Sequence, residues 1–113
     1  MATRTRADLV NQALANLGVT DPNEIASAED YKAVDDHFDT AMAQLSGEDI
    51  FTLADEDDIP LELFGPLADY LAEDAASDFG RAANPQTVAL AVSKIRIITR
   101  NRPSYQTLAT EYF

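Results

Sequence analysis

Cysteine is missing from this chain, which excludes disulfides and cysteine-ligated metals. Histidine is nearly missing: His37 is the single one, and one imidazole without a partner is a poor start for a metal site. Nucleophilic catalysis needs a nucleophile, a base and an orienting group, and it runs short of parts for the same reason. No serine stands in a G-x-S-x-G context. Only four glycines occur, each reading as a helix stop or a kink, so no phosphate-cradling loop is present. No apolar run approaches the roughly 18–20 residues that cross a bilayer. The opening MATRTRADLV lacks the apolar centre of a signal peptide. Paired carboxylates exist among twenty acids, but nothing singles out one pair. The expectation is a soluble, intracellularly made protein that is not an enzyme and carries no cofactor and no metal.

Basic residues are also scarce, eight against twenty acids, for a net charge of −12. Their placement is uneven. Arg4 and Arg6 give +2 to residues 1–6, and nineteen acids against Lys32 give −18 to residues 7–78. Arg81, Lys94, Arg96, Arg100 and Arg102 against Glu111 give +4 to the remainder. A body this acidic does not bind duplex DNA by neutralising phosphates. An acidic surplus can serve solubility alone. The polarity along the chain also suits ordered head-to-tail contacts. The run Asp55-Glu56-Asp57-Asp58 lacks the D-x-D-x-D-G spacing and distal Glu of an EF-hand, and reads as a solvated, helix-capping loop. Asp35 and Asp39 share a helix face, whereas Asp36 and His37 point elsewhere, so these four do not form a ligand set.

What is present is helical periodicity. A chain of 113 residues supports one domain. Its longest apolar stripe runs through Pro60 to Gly80, where Leu63, Phe64, Leu67, Leu71, Ala75 and Phe79 recur at three- and four-residue steps. Leu67, Leu71 and Phe79 are the expected core of this central helix. Pro66 would clash with the carbonyl four residues back. The pattern therefore predicts a short turn near 60–64, a kink, and a main helix over 66–79 stopped by Gly80.

Three further helices are expected around it. The first covers 5–17, capped by Thr5 and Asp8, with Leu9, Val10, Ala13, Leu14 and Leu17 inward and Gly18 as its stop. A turn at Asp21-Pro22-Asn23 follows. The second starts at the cap Ser27, carries Tyr31, Val34, Phe38, Ala41, Met42 and Leu45, and stops at Gly47. Ile50 to Leu53 reads as an extended connector or a small strand. The last helix opens at Asn84-Pro85 with Val88, Val92, Ile95 and Thr99 on one stripe. Leu90 and Ile97 lie off that stripe, so this helix is apolar on more than one face and expects cover from two sides. Arg96 and Arg100 share a face near its end, where cations favour the helix dipole or meet an acidic partner.

The expected architecture is all-α: a four-helix bundle over residues 1–102, with an extended linker at 48–58 and an extended C-terminal tail over 103–113. The tail carries Tyr105, Leu108, Tyr112 and Phe113 without a helical stripe. Eleven extended residues reach about 36 Å at roughly 3.3 Å each. That is enough to cross onto a neighbour, and aromatics are preferred interface anchors. The other outcome is a tail packed on its own domain or left disordered.

The opening TRADLVNQALANLGV resembles the start of the head-to-tail adaptor proteins of tailed bacteriophages, the head-completion group that includes packaged-DNA-stabilisation proteins. The likeness rests on Leu9-Val10, Ala13-Leu14 and Leu17-Gly18. It continues through an acidic second helix, a connector, a helix ending in Phe79-Gly80, a basic-ended last helix and a tail. The resemblance implies a structural virion protein of the neck, made in the host cytoplasm. It would form a homo-oligomeric ring, commonly of twelve copies, on the portal protein and extend the DNA channel toward a downstream tail or nozzle protein. DNA would pass without specific binding, and no membrane is involved. Arg96, Arg100, Arg102, Tyr105, Leu108, Tyr112 and Phe113 are the expected portal- or neighbour-binding residues. Asp35, Asp36, Asp39, Asp55, Glu56 and Asp57 are the candidates for lining the channel. The alternative is a small acidic binding protein that blocks a basic partner as DNA mimics do.

Overall fold

The computed structural model describes residues 3–20 and 27–101. In chain order the regular elements are β1 (Thr3–Arg4), α1 (Arg6–Asn16), α2 (Ala28–Gly47), β2 (Ile59–Pro60), α3 (Leu61–Ala75), a 3-10 turn (Ala76–Phe79) and α4 (Pro85–Asn101). The fold is mostly helical, as the periodicity predicts. The exception is a two-residue antiparallel ladder, β1 on β2, pairing Thr3 with Pro60 and Arg4 with Ile59. Residues this few carry no alternating pattern, so the ladder has no signature in the sequence. The linker segment Ile50 to Leu53 forms no strand.

The starts of α1, α2 and α4 follow from their caps, whereas α3 starts after Pro60 with no side-chain cap. The Thr5 hydroxyl accepts from the Asp8 N–H at 3.3 Å, and the Asp8 carboxylate accepts from the Thr5 N–H at 3.1 Å, a complete capping box. The Ser27 hydroxyl accepts from the Asp30 N–H at 3.1 Å. The Asn84 side chain accepts from the N–H groups of Gln86 and Thr87 at 2.9 and 3.4 Å. These bonds satisfy N–H groups that have no partner inside the helix.

The ends of α1 and α2 share one mechanism, and it corrects one expected stop. After α1, Gly18 takes φ of +75°, Val19 N–H donates to Leu14 and Gly18 N–H to Ala15. This is a Schellman closure. After α2 the left-handed residue is Asp49, at φ +61°, and Gly47 is the last helical residue. Ile50 N–H donates to Leu45 and Asp49 N–H to Ser46. The physical reason lies one residue further on. This closure puts an apolar residue past the turn against the helix, and here that residue is Ile50, buried beside Leu45. A stop at Gly47 would put Glu48 and Asp49 there instead.

α3 corrects a second expectation. It begins at Leu61 and runs through Pro66 without interruption, and the segment 76–79 is a separate 3-10 turn ending at Gly80, φ +73°. Gly65 accounts for part of the tolerance. A proline ring crowds the N–H and the Cβ of the residue before it, and glycine has no Cβ. Leu63 and Leu67, both fully buried, hold the turn in place on either side.

The hydrophobic core is built on α3, which packs against α1, α2 and α4, while α1 also packs on α2. Leu63, Leu67 and Leu71 are inaccessible to solvent, as are Leu9 and Leu14 of α1 and Val34 and Leu45 of α2. Small residues at Ala68, Ala72, Ala75 and Ala76 let the neighbouring elements approach closely. Phe79 is only half-buried, because the 3-10 turn carries it off the α3 stripe. α4 is placed differently from the other helices. It lies chiefly along α3, and only Ala91 and Ile95 of its side chains are buried.

Candidate functional site

Four of the six acidic candidates are engaged by cations of the same chain. Arg6, near the start of α1, gathers three of them. Its Nε donates to Asp35 at 2.8 Å, and its Nη1 donates to Asp39 at 3.2 Å and to Glu56 at 3.0 Å. Nη2 donates to the Asp35 carbonyl at 3.2 Å, and the guanidinium lies 4.3 Å from the centre of the Phe38 ring. Burial works against this charge, but the hydrogen bonds and charges of Asp35, Glu56 and Asp39 outweigh it, and the Arg6 pKa is raised. Arg6 thereby ties α1, α2 and the linker together. Asp36 pairs with Lys32 one turn back on the outside of α2. Asp55 accepts from the Asp57 N–H at 2.9 Å within the linker turn, and Asp57 has no cation beside it among the described residues.

His37 turns away from Asp35 and Asp39, as the helix geometry predicts, and meets two carboxylates of another element. Its Nδ1 lies 3.1 Å from Asp74 at the end of α3, and its Nε2 lies 2.8 Å from Asp78 in the 3-10 turn. An ionised carboxylate only accepts, so serving both requires both ring nitrogens protonated. Burial alone would lower the imidazole pKa, but the bonds and charges of Asp78 and Asp74 outweigh it and raise it. This pairing was not legible beforehand, because 37 and 41 residues of chain separate the partners. The one available signal was that Asp74 and Asp78 stand four apart, on one face if helical.

The outward side of α4 is the third feature. Arg96 and Arg100 are exposed on it, together with Lys94. Lys94 is close enough to α3 to oppose the upward shift that burial, helped by Glu73, imposes on the Asp69 carboxyl. Leu90 and Ile97, the two residues off the inward stripe, are 56% and 51% exposed. The second cover expected for this helix is therefore not supplied by the described residues. Across the chain, Phe51, Leu53 and Pro60 line a small cavity of about 180 Å³ in the linker, with Asp55 and Asp58 at its edge.

Arg102, Tyr105, Leu108, Tyr112 and Phe113 lie outside the described residues, as does the turn at Asp21-Pro22-Asn23. Among the described residues, no three His, Asp or Glu side chains converge in a way that would hold a metal ion. No helix among them is long and apolar enough to cross a membrane. The arrangement offers chemistry of association: exposed apolar side chains bordered by cations on one element, and uncompensated carboxylates on another. Comparison with protein-family models, with curated proteins and with solved structures finds no match.

Proposed function

We propose that the chain is a head-to-tail adaptor of a tailed bacteriophage: a structural protein of the virion neck that forms a ring, docks on the portal and extends the DNA channel toward the tail. The observation that carries this reading is the outward face of α4. Leu90 and Ile97 stand exposed between Lys94, Arg96 and Arg100 on a chain whose remaining charge is overwhelmingly negative. Exposed aliphatic residues inside a charged rim suit a protein that is completed by a partner. The proposal includes the four helices acting as one bundle, whose fourth member sits on α3 and presents its other side to a neighbour. It also includes the segment 103–113 as a docking tail.

The channel wall in this proposal falls mainly to Asp57, which has no cation beside it among the described residues. Asp35, Asp36, Asp39 and Glu56 keep part of their charge in the outward field, because Arg6 and Lys32 supply two cations against four acids. The same pairs weigh against the alternative of a DNA mimic, since a phosphate-like row needs carboxylates free to meet a basic partner.

Two measurements test the reading. Antibody against this chain should label the neck in electron micrographs of virions, and label elsewhere or nowhere would refute it. Full-length protein should co-sediment with portal, and deletion of residues 104–113 should abolish docking while leaving thermal stability near normal. A shortened chain that still docks removes the tail from the proposal.

A further inference from the structure

Two patches of the described surface are complementary in chemistry and in charge. The first is the outward stripe of α4. Leu90, Ser93 and Ile97 follow one another at helical spacing, all exposed, with Lys94 on one side and Arg96 and Arg100 on the other. The second is the linker cavity, lined by apolar Phe51, Leu53 and Pro60 together with Asp55 and Asp58. Leu61, 45% exposed, follows directly on Pro60. Leu61, Leu90 and Ile97 are the large apolar side chains that stand exposed among the described residues, and each belongs to or adjoins one of these patches.

Charge decides how such patches combine between copies. Two α4 stripes laid against each other would bring Lys94, Arg96 and Arg100 of one copy against the same three cations of the other. Two linker cavities would oppose Asp55 and Asp58 to themselves. Like charges juxtaposed across an interface are costly. Stripe against cavity instead sets aliphatic side chains on an apolar floor and cations on carboxylates. We infer that the α4 stripe of one copy seats in the linker cavity of the next. The inference rests on the self-assembling reading above and specifies its contact. Because the joined surfaces differ, the contact is heterologous. It propagates in one direction and closes into a ring or runs on as a filament. Leu90 and Ile97 supply the affinity, and the charged rim supplies orientation and salt dependence.

The absence of cysteine makes the test direct. Ile97→Cys and Thr52→Cys are prepared as separate single-site variants; both positions are exposed, so folding is retained. Mixed under oxidising conditions, they should give a covalent dimer. Neither alone should, since a heterologous contact never brings a residue against its own copy. A chain carrying both substitutions should give a ladder of multimers. In sedimentation, Ile97→Asp should weaken self-association at least tenfold. Lys94→Glu with Arg96→Glu should do the same and be rescued by a partner carrying Asp55→Lys and Asp58→Lys. Covalent dimers from Ile97→Cys alone would overturn the inference in favour of a symmetric α4 pair. Wild-type protein that assembles while the mixed cysteines fail to link overturns this contact and leaves the ring reading standing. Wild-type protein that stays monomeric, with no link in the mixture, overturns both.

Discussion

Arg6 is one side chain serving three elements, and its replacement should be felt in all of them. Exposed ion pairs contribute roughly 0.2–1 kcal/mol each, and a cation over an aromatic ring adds about 0.5–1 kcal/mol. Arg6→Ala should therefore lower stability by about 1–3 kcal/mol in urea unfolding. Arg6→Lys should recover only part of this, because a point charge cannot reach Asp35, Asp39 and Glu56 with a planar fork. His37 gives a pH signature of defined sign. Its pKa is raised in the folded state above the ordinary 6.5. The stabilisation is thus complete below about pH 6.5 and is lost as pH rises through the folded value. Thermal midpoints measured from pH 6 to 9 should fall for the wild type relative to His37→Gln, and the two curves should converge at the alkaline end. Parallel curves would mean that His37 is not charged between Asp74 and Asp78. Asp49 is a third case. A left-handed backbone is costly for a residue with a side chain, and Asp49→Gly should stabilise the protein by about 0.5–1 kcal/mol.

α3 is the element on which the core depends. Leu71→Ala should cost about 2–5 kcal/mol, whereas Phe79→Ala, at a half-buried position, should cost clearly less. A denaturant midpoint unchanged by Leu71→Ala would contradict the packing. The tolerance of Pro66 can be tested by a double-mutant cycle. In an ordinary helix, Gly→Ala gains about 0.5–1 kcal/mol. Gly65→Ala should gain little or lose stability in the wild type, where the new Cβ meets the proline ring, and should gain the full amount in the Pro66→Ala background. The helices were legible in the sequence because each carries its own period and three carry their own cap: Thr5 with Asp8, Ser27 with Asp30, Asn84 with Pro85. Their ends were legible where a glycine takes the left-handed position, as at Gly18 and Gly80. At Gly47 the local signal was present and the tertiary contact of Ile50 overrode it. Of the candidate surface, Leu90 and Ile97 stood out by their period. Arg6 and His37 did not, since an ion pair across about 30 or 40 residues leaves no local pattern.

The molecule as a whole is elongated, with principal extents of 51 × 29 × 19 Å, and strongly acidic. With a net charge of −12 and no large basic patch among the described residues, it should show no binding to double-stranded DNA even near about 50 mM salt. Salt-sensitive retention of DNA by the protein in a filter assay would contradict the charge distribution described. The short ladder adds a matter of timing. β1 meets β2 across more than fifty residues of chain, so Thr3–Arg4 and Ile59–Pro60 add a fastening to the packing of α1 on α2 and α3 and to the Arg6–Glu56 bond. Closing a loop of that length costs little more than closing one half as long, but contacts of such separation form slowly. Pro60 brings no N–H to the join. The ladder, only two residues long on each side, is therefore expected to be among the first parts of the fold to release. Hydrogen exchange under native conditions should find the ladder amides opening by themselves, with the linker, while those of Leu67 and Leu71 exchange only when the entire domain unfolds.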